Sequence, residues 1–161
     1  MLNETNFITE SPMRAVIQRV DRASVTIDHL QVSSIHKGIL ILLGVARNDT
    51  ETDSDYILEK ALNLRIFEDE HDKMNKSLLD IEGDMMVVSQ FTLLGNCVKG
   101  RRPSFTSAEE PEKAIRLYEY FVHKAKEKVK HLGTGKFQAM MKIELVNDGP
   151  VTILLDSKRN F

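Results

Sequence analysis

The stretch MMVVSQFTLLGN, residues 85–96, begins as an apolar run and then becomes polar in its middle. Its four leading apolar residues are typical of a buried β-strand. The polar residues Ser89, Gln90 and Thr92 follow within the same run, and polar groups buried in a sheet need hydrogen-bonding partners. We therefore predict a strand over residues 84–94 whose polar end makes either ordinary strand-end hydrogen bonds or contacts to a bound ligand.

Apolar runs on both sides of this stretch predict further strands. The run ILILL, residues 39–43, is apolar on both faces, as a central strand of a sheet is. Val25 and Ile27 instead alternate with polar residues, which indicates a half-buried strand. The remaining β-type runs lie at residues 14–20, 31–35, 137–146 and 151–155.

Two segments have the pattern of amphipathic helices. The first follows the carboxylate-rich segment 49–55, whose charges suit the positive end of a helix dipole. The second begins near Pro111 and ends at Gly133, and its apolar residues form one stripe at three- and four-residue spacing. Strands outnumber helices and flank two helices, so the pattern predicts an α/β or α+β class with mixed sheets. Of these we expect an α/β fold: a single domain of mixed β-sheets that form a barrel-like core with two main helices.

Length and composition are those of one globular domain. The chain has 161 residues, of which 42% are hydrophobic and 29% are charged, and no apolar run approaches the length of a membrane span. The first twelve residues are polar and aperiodic, without the basic start and apolar stretch of a signal peptide. We expect a disordered extension over residues 1–12, a domain over residues 13–161 and a cytoplasmic location.

The residue inventory argues against several kinds of catalytic site. The one cysteine, Cys97, permits neither an internal disulfide nor a metal cluster. None of the five histidines has the spacing of a zinc ligand, and the chain lacks a nucleophile elbow and a phosphate-binding glycine loop. These observations indicate no metal site. The net charge of −2 argues against broad nucleic-acid binding but permits a small basic patch.

One such patch is the loop segment KGRRPSF, residues 99–105. Lys99, Arg101 and Arg102 beside an aromatic residue suit the phosphates of an RNA end, although a solvated loop explains them nearly as well. Arg19 is unusual in a different way, because it shares a strand face with residues expected to be buried and needs an acceptor there.

A second polar segment, NDGPVT at residues 147–152, separates the last two apolar runs. Proline donates no ladder hydrogen bond and cannot continue a central strand, so we predict a sharp turn between two strands. Most X–Pro bonds in folded proteins are trans, and the sequence alone therefore favours a trans bond at Gly149–Pro150.

Together, SQFTL at residues 89–93 and NDGPVT at residues 147–152 resemble the signature of the D-aminoacyl-tRNA deacylases, and the resemblance extends from Met13 to Ser157. It implies a homodimer that hydrolyses the ester between a D-amino acid and the terminal adenosine of tRNA, without metal or cofactor. Backbone groups at the first segment would stabilise the oxyanion, and the ribose 2′-hydroxyl would assist the attack of water.

The resemblance also implies roles for individual residues. The Gly149–Pro150 bond would be cis, its carbonyls would enter the active site of the partner subunit and exclude L side chains, and Arg19 would brace it. A pocket that leaves room only for hydrogen cannot reject glycine, so glycine mischarged onto alanine tRNA is an expected side substrate. The residues expected at the site are Ser89, Gln90, Phe91 and Thr92 for catalysis, and Gly149, Pro150, Arg19, Phe137, Met141, Lys99, Arg101 and Arg102 for substrate binding.

The segment FQAMM, residues 137–141, departs from the family pattern. Many family members have glycine after the phenylalanine, whereas this chain has Gln138, and Met140 is also larger. These side chains could alter the rim of the pocket and thereby the preference for adenosine or for the amino acid.

Two other functions remain open at this point. One is the hydrolysis of a different ester with Thr92 or Ser89 as nucleophile, although without an adjacent base Thr92 would be a weak one. The other is a non-catalytic module that binds RNA ends.

Overall fold

The computed structural model describes residues 11–161, so the predicted extension over residues 1–12 lies outside the described residues except for its last two positions. The described part confirms the predicted α/β fold. Its strands are β1 (Arg14–Ile27), β2 (Leu30–Ile35), β3 (Gly38–Gly44), β4 (Phe67–Glu68), β5 (Met74–Lys76), β6 (Asp84–Ser89), β7 (Leu132–Thr134) and β8 (Lys142–Asp156). The helices are α1 (Glu51–Asn63) and α2 (Pro111–Lys126), and a short 3-10 helix covers Phe91–Leu94.

The strand β1 organises the main sheet because three strands pair with it. Its first half is antiparallel to β3, and its second half is antiparallel to β2. Along its opposite edge β1 pairs with β8 from Arg14 to Thr26. β3, β6 and β7 are parallel neighbours, which gives the order β2-β1-β3-β6-β7. The sheet curls until the Thr134 N–H of β7 donates to the Ser33 hydroxyl of β2 at 3.1 Å, so the barrel is nearly closed.

Alternate residues of the central strands enter two different cores. Ile41 and Val87 face the helices, whereas Leu40 and Met86 point into the barrel. Both faces of β3 are therefore covered, as predicted from its continuous apolar run. The buried residues that the two helices contribute to the first core are Ile57, Leu58, Ala61, Leu62, Ala114, Tyr118, Phe121 and Ala125.

Several predicted element boundaries are wrong. Residues 14–27 form one strand where separate runs were predicted, and α2 ends at Lys126 rather than at Gly133, which lies in β7. The strand β6 ends at Ser89 rather than Leu94, because the chain turns there into the 3-10 helix. Gly44 makes this crossing possible: a Cβ atom on it would lie 2.9 Å from the Gln90 carbonyl oxygen. β8 is one strand from Lys142 to Asp156, where two shorter strands and a turn were predicted.

Hydrogen bonds to the Asp49 side chain connect the start of the domain with the loop before α1. Its Oδ1 accepts a hydrogen bond from the Met13 N–H at 3.2 Å, and its Oδ2 accepts one from the Ala46 N–H at 2.6 Å. Burial raises the pKa of Asp49 to about 7, and the nearby charge of Asp53 adds to the rise against the lowering effect of the Ala46 hydrogen bond. The folded protein therefore binds a proton at Asp49 more tightly than the unfolded chain does.

We predict that Asp49→Asn removes a pH-dependent part of the stability. Because the folded-state pKa is raised, the stability linked to Asp49 is fully present below about pH 4, the pKa of unfolded Asp. It is lost as the pH rises through about 7. The wild type should therefore lose stability relative to Asp49→Asn across this interval, measured as the difference between their urea midpoints at each pH. Parallel pH profiles of the two proteins would contradict the assignment.

Candidate active site

The end of β6 forms one half of the candidate site. Gln90 follows Ser89 out of the sheet, and its backbone N–H still donates to the Leu43 carbonyl at 2.7 Å. The 3-10 helix begins at the next residue, and the Arg14 Nη1 donates to the Leu93 carbonyl at 2.8 Å. These contacts hold the start of the 3-10 helix against β1 and β3.

The chemistry available at this strand end is that of backbone donors. The first N–H groups of a helical turn have no acceptor within it, so those of Phe91 and Thr92 can donate to a ligand. The Thr92 hydroxyl accepts a hydrogen bond from the Gln90 side-chain amide. Residues 85–108 include no Asp, Glu or His that could serve as a base. The arrangement suits stabilisation of a developing negative charge better than nucleophilic attack by threonine.

The predicted pocket residues Phe137 and Met141 lie beside the same strand. Met141 packs in the barrel core that contains Val88, and its sulfur lies against Gly135. The Phe137 ring is 6.1 Å from the ring of Tyr118, whose hydroxyl donates to the backbone of β6 at 2.9 Å. Burial raises the pKa of Tyr118 to about 12, so the hydroxyl stays protonated as a donor.

The segment between these pocket residues is a turn rather than the predicted strand. Gln138 has a φ of 63°, in the left-handed region that glycine adopts without steric cost. Gln138 and Met140 are both exposed, and Met140 is 91% accessible. Their larger side chains therefore lie at the protein surface next to Phe137 and Met141.

The basic residues Lys99, Arg101 and Arg102 lie in the loop after the 3-10 helix, and all three are exposed. Reciprocal backbone hydrogen bonds of 2.7 and 2.9 Å between Asn96 and Ser104 close the base of this loop. The ion pairs among residues 11–161 include none of these cations. The structure thus places three cations on the connection that leaves the strand end.

The second motif forms a bulge in β8. Five steps along β8, from Asn147 to Thr152, lie opposite two steps along β1. The Asn147 side chain closes the bulge, since its Oδ1 accepts from the Val151 N–H at 2.7 Å and its Nδ2 donates to the Thr152 hydroxyl at 3.0 Å. The Gly149–Pro150 bond within the bulge is cis, as the resemblance implied and contrary to what the sequence alone favoured.

Arg19 on β1 binds this bulge through hydrogen bonds. It is only 4% exposed, and its Nε donates to the Asp148 carbonyl at 2.9 Å. Its Nη1 donates to the Ile66 carbonyl at 2.7 Å and to the Glu68 carboxylate at 3.0 and 3.1 Å. The backbone N–H of Glu68 itself, and then the Arg19 guanidinium, hold the pKa of Glu68 below its usual range. The buried arginine was predicted to need an acceptor. The structure gives it several, which lie in β8 and in the segment around β4.

Gly149 is required at its position by its backbone and by its neighbours. Its φ is 130°, a conformation that L side chains rarely adopt. A Cβ atom there would lie 2.9 Å from the Val151 Cγ2 and 3.0 Å from the Arg19 Nη2. The absence of a side chain lets the arginine approach the turn closely.

Within one protomer, the two halves of the candidate site are anchored at different positions along β1. Arg14 contacts the strand end and Arg19 contacts the bulge, and the two arginines are five residues apart on β1. A strand rises about 3.3 Å per residue, so roughly 16 Å separate these two anchor points. The exposed residues of the two halves are Phe91 and Thr92 in one and Gly149 and Pro150 in the other.

Sequence reasoning missed three residues that hold these halves: Arg14, Glu68 and Asn147. No local pattern points to Glu68, because its partner Arg19 lies 49 residues away in the chain. Asn147 did carry a signal, since Asn commonly hydrogen-bonds the backbone of a following turn.

The described residues 11–161 contain no group of three or more His, Cys, Asp or Glu side chains placed to hold a metal ion. In the same part of the chain, neither helix has the length and apolar character that crossing a membrane requires.

The chain is similar to proteins of one family. The profile of the family described as D-Tyr-tRNA(Tyr) deacylase matches residues 16–156. Proteins named D-aminoacyl-tRNA deacylase from Syntrophus aciditrophicus (strain SB) and Clostridioides difficile (strain 630) are 61% and 60% identical over 149 residues. These matches cover 92% of this chain and 100% of each relative.

Solved structures also match the chain. The c-Myc DNA Unwinding Element Binding Protein is 42% identical, with a TM-score of 0.85 over 89% of this chain and 97% of that chain. A probable eukaryotic D-amino acid tRNA deacylase is 19% identical, with a TM-score of 0.76 over 89% of this chain and 98% of that one. The second likeness shows the fold alone.

We predict that Arg19→Lys loosens the bulge. Lysine keeps the charge but cannot span the Asp148 and Ile66 carbonyls as the guanidinium does. The free energy of unfolding should fall by about 1.5–3 kcal/mol, the range for hydrogen bonds to charged groups. Amide exchange of the Val151 N–H should accelerate. Arg22→Lys, an exposed position on the same strand, is the matched control and should change neither quantity. Unchanged Val151 exchange in Arg19→Lys would show that the bulge does not depend on this residue.

Proposed function

The chain belongs to the D-Tyr-tRNA(Tyr) deacylase family, and we propose that it hydrolyses the ester between a D-amino acid and the terminal adenosine of tRNA. The observation that carries this proposal is a strand end with backbone donors at Phe91 and Thr92 and with no Asp, Glu or His among residues 85–108. Such a site suits an ester whose own RNA supplies the reacting hydroxyl. A substrate of this kind would place the protein in the cytoplasm.

In the proposed mechanism, the strand end stabilises the oxyanion. The N–H groups of Phe91 and Thr92 donate to the carbonyl oxygen of the ester as water attacks and negative charge develops there. The Gln90 N–H cannot take part because it is bound to Leu43. The ribose 2′-hydroxyl assists the attack of water, and the ester bond to the ribose breaks to release the D-amino acid and the tRNA. Ser89 and the Gln90 side chain position the turn.

The active enzyme is proposed to be a homodimer in which each subunit completes the other's site. The estimate of roughly 16 Å along β1 between the two anchor points supports this arrangement, because groups so far apart do not meet at one ester. Leu42, Val16 and Leu154 form an apolar row across three neighbouring strands, and Leu154 is 54% exposed. Within residues 11–161, β8 pairs only with β1, so its outer edge is also open to a second copy.

Chirality is proposed to be selected by rejection. The Gly149 and Pro150 carbonyls of the partner subunit would occupy the space into which an L side chain would extend, leaving room for hydrogen only. The hydrogen bonds of Arg19 and Asn147 support this role because they hold the bulge from two sides. Glycine has hydrogen on both sides, so glycine mischarged onto alanine tRNA would also be hydrolysed.

The remaining predicted residues would bind the rest of the substrate. Phe137 and Met141 lie beside β6 and would line the pocket next to the strand end. Lys99, Arg101 and Arg102 would hold phosphates of the tRNA end, for which their exposure on one loop is suitable.

We predict that catalysis depends on the Phe91 N–H and little on the Thr92 hydroxyl. Thr92→Ala should keep activity within about tenfold, since one neutral hydrogen bond contributes about 1 kcal/mol. Phe91→Pro should be about 10²–10³-fold less active than Phe91→Ala, because it alone removes the N–H donor. Proline suits this first helical position, and Gln90 before it, with φ of −142° and ψ of 80°, lies outside the α region that a following proline disfavours. Rates are measured by release of a labelled D-amino acid from tRNA.

A substrate ending in 2′-deoxyadenosine provides the second test of this mechanism. Its hydrolysis should be at least about 10²-fold slower, the lower end of the contribution of proton transfer by a positioned group. A folded, dimeric Thr92→Ala protein without any activity would instead support an esterase with Thr92 as nucleophile. Intact tRNA binding without hydrolysis by the wild type would support a non-catalytic module that binds RNA ends.

We predict that Leu154→Lys produces an inactive monomer, because a charge in the apolar row would be buried on association. Met74→Lys is the matched control, since Met74 is also 54% exposed but lies on β5. Sedimentation velocity reports the oligomeric state, and the deacylation rate reports the site. A fully active Leu154→Lys monomer would refute the shared site.

Mixed dimers separate a shared site from a dimer that only adds stability. Gly149→Val damages the bulge, and Phe91→Pro damages the strand end. If each site combines the two halves from different subunits, dimers formed from one chain of each variant contain one intact site. Activity should therefore reappear on mixing and subunit exchange. No recovery in verified mixed dimers would place both halves in one subunit.

A further inference from the structure

An exposed pair of aromatic rings lies directly beside the strand-end half of the site. Phe91, the first residue of the 3-10 helix, is 56% exposed, and Phe105, after the basic loop, is 37% exposed. Their ring centroids are 5.1 Å apart and their planes meet at 71°, which is an edge-to-face contact. The two rings form an exposed apolar surface, with one ring on the residue of a proposed oxyanion donor and the other at the end of the segment that carries the loop cations.

The structure holds Phe105 in place. Its ring packs on Gly95, where a Cβ atom would lie 3.0 Å from the Phe105 Cε1. Backbone hydrogen bonds between Asn96 and Ser104 fix the preceding residue, and the Phe105 carbonyl accepts from the Ala108 N–H at 3.0 Å. A ring fixed in advance loses little conformational entropy when a flat partner binds to it.

The charge around the two rings suits a polyanion. The loop carries Lys99, Arg101 and Arg102, and residues 95–108 contain no Asp or Glu. Cations that hold the backbone, next to aromatic rings on which bases stack, are the usual combination in sites for single-stranded nucleic acid. An apolar partner without anionic groups would leave the three cations without a counter-charge.

We propose that Phe91 and Phe105 form a stacking platform for the nucleobase immediately 5′ of the terminal adenosine of tRNA. The inference rests on the proposed function, because it requires the ester to lie at the Phe91 and Thr92 N–H groups. From there the RNA strand leaves past the Phe91 ring towards the loop cations, which hold the adjoining phosphate. Stacking tolerates any base, so the platform recognises an unpaired RNA end rather than a sequence. It therefore contributes to substrate binding and not to bond cleavage.

Phe105→Leu tests the platform, because leucine can retain the apolar contact with Gly95 while it removes the aromatic face. For D-aminoacyl-tRNA, KM should rise by about 5- to 150-fold, the range for loss of one stacked base, with kcat unchanged. For D-aminoacyl-adenosine, which has no preceding nucleotide, both KM and kcat should match the wild type. Phe105→Tyr keeps the ring and should restore the KM for tRNA.

Val98→Ala is the control within the same loop, since Val98 is 86% exposed and should affect neither substrate. The platform is overturned if Phe105→Leu leaves the KM for tRNA unchanged or weakens both substrates equally. It is also overturned if sedimentation finds that variant monomeric, which would assign the rings to a subunit contact. Fluorescence anisotropy with an RNA oligonucleotide ending in CCA separates this inference from the proposed function. Binding that depends on Phe105, without hydrolysis of either ester, would refute the function and retain the platform.

Discussion

The hydrogen bonds of the buried Arg19 join three segments that are distant in the chain, and the geometry of the candidate site depends on them. One guanidinium reaches the Asp148 carbonyl in β8, the Ile66 carbonyl before β4 and the Glu68 carboxylate within β4. A buried arginine is tolerated only when its donors are satisfied, because an unpaired charge in the interior is costly. The hydrogen bond from Arg19 to the Asp148 carbonyl therefore satisfies a buried donor and also fixes the position of the bulge.

The two halves of the site illustrate different ways of presenting backbone groups. At the end of β6, a 3-10 helix turns its first N–H groups outward, and contacts from Arg14 and Leu43 hold that turn. In β8, a bulge closed by Asn147 turns its residues away from the sheet ladder. The segment around the strand end, residues 85–108, contains no Asp, Glu or His.

Much of the fold was predictable because its signals are local. The continuous apolar run at residues 39–43 indicated a central strand, and the apolar stripe of α2 indicated a helix that packs on one side of the sheet. Among the boundaries predicted wrongly are the end of β6 and the course of β8. In both places the chain leaves regular strand geometry because of close approaches to Gly44 and Arg19, which no local pattern reports.

The sequence by itself determined the fold class, the two polar motifs and the need of Arg19 for an acceptor, because periodicity and residue chemistry are properties of neighbouring positions. Only the tertiary structure decided which groups satisfy Arg19, that the Gly149–Pro150 bond is cis, and that Phe91 meets Phe105. It also decided that different residues of β1, Arg14 and Arg19, contact the two motifs. The physical reason is that these relations depend on strand pairing and close packing between residues far apart in the chain. For such residues, the separation in the sequence does not predict the distance in space.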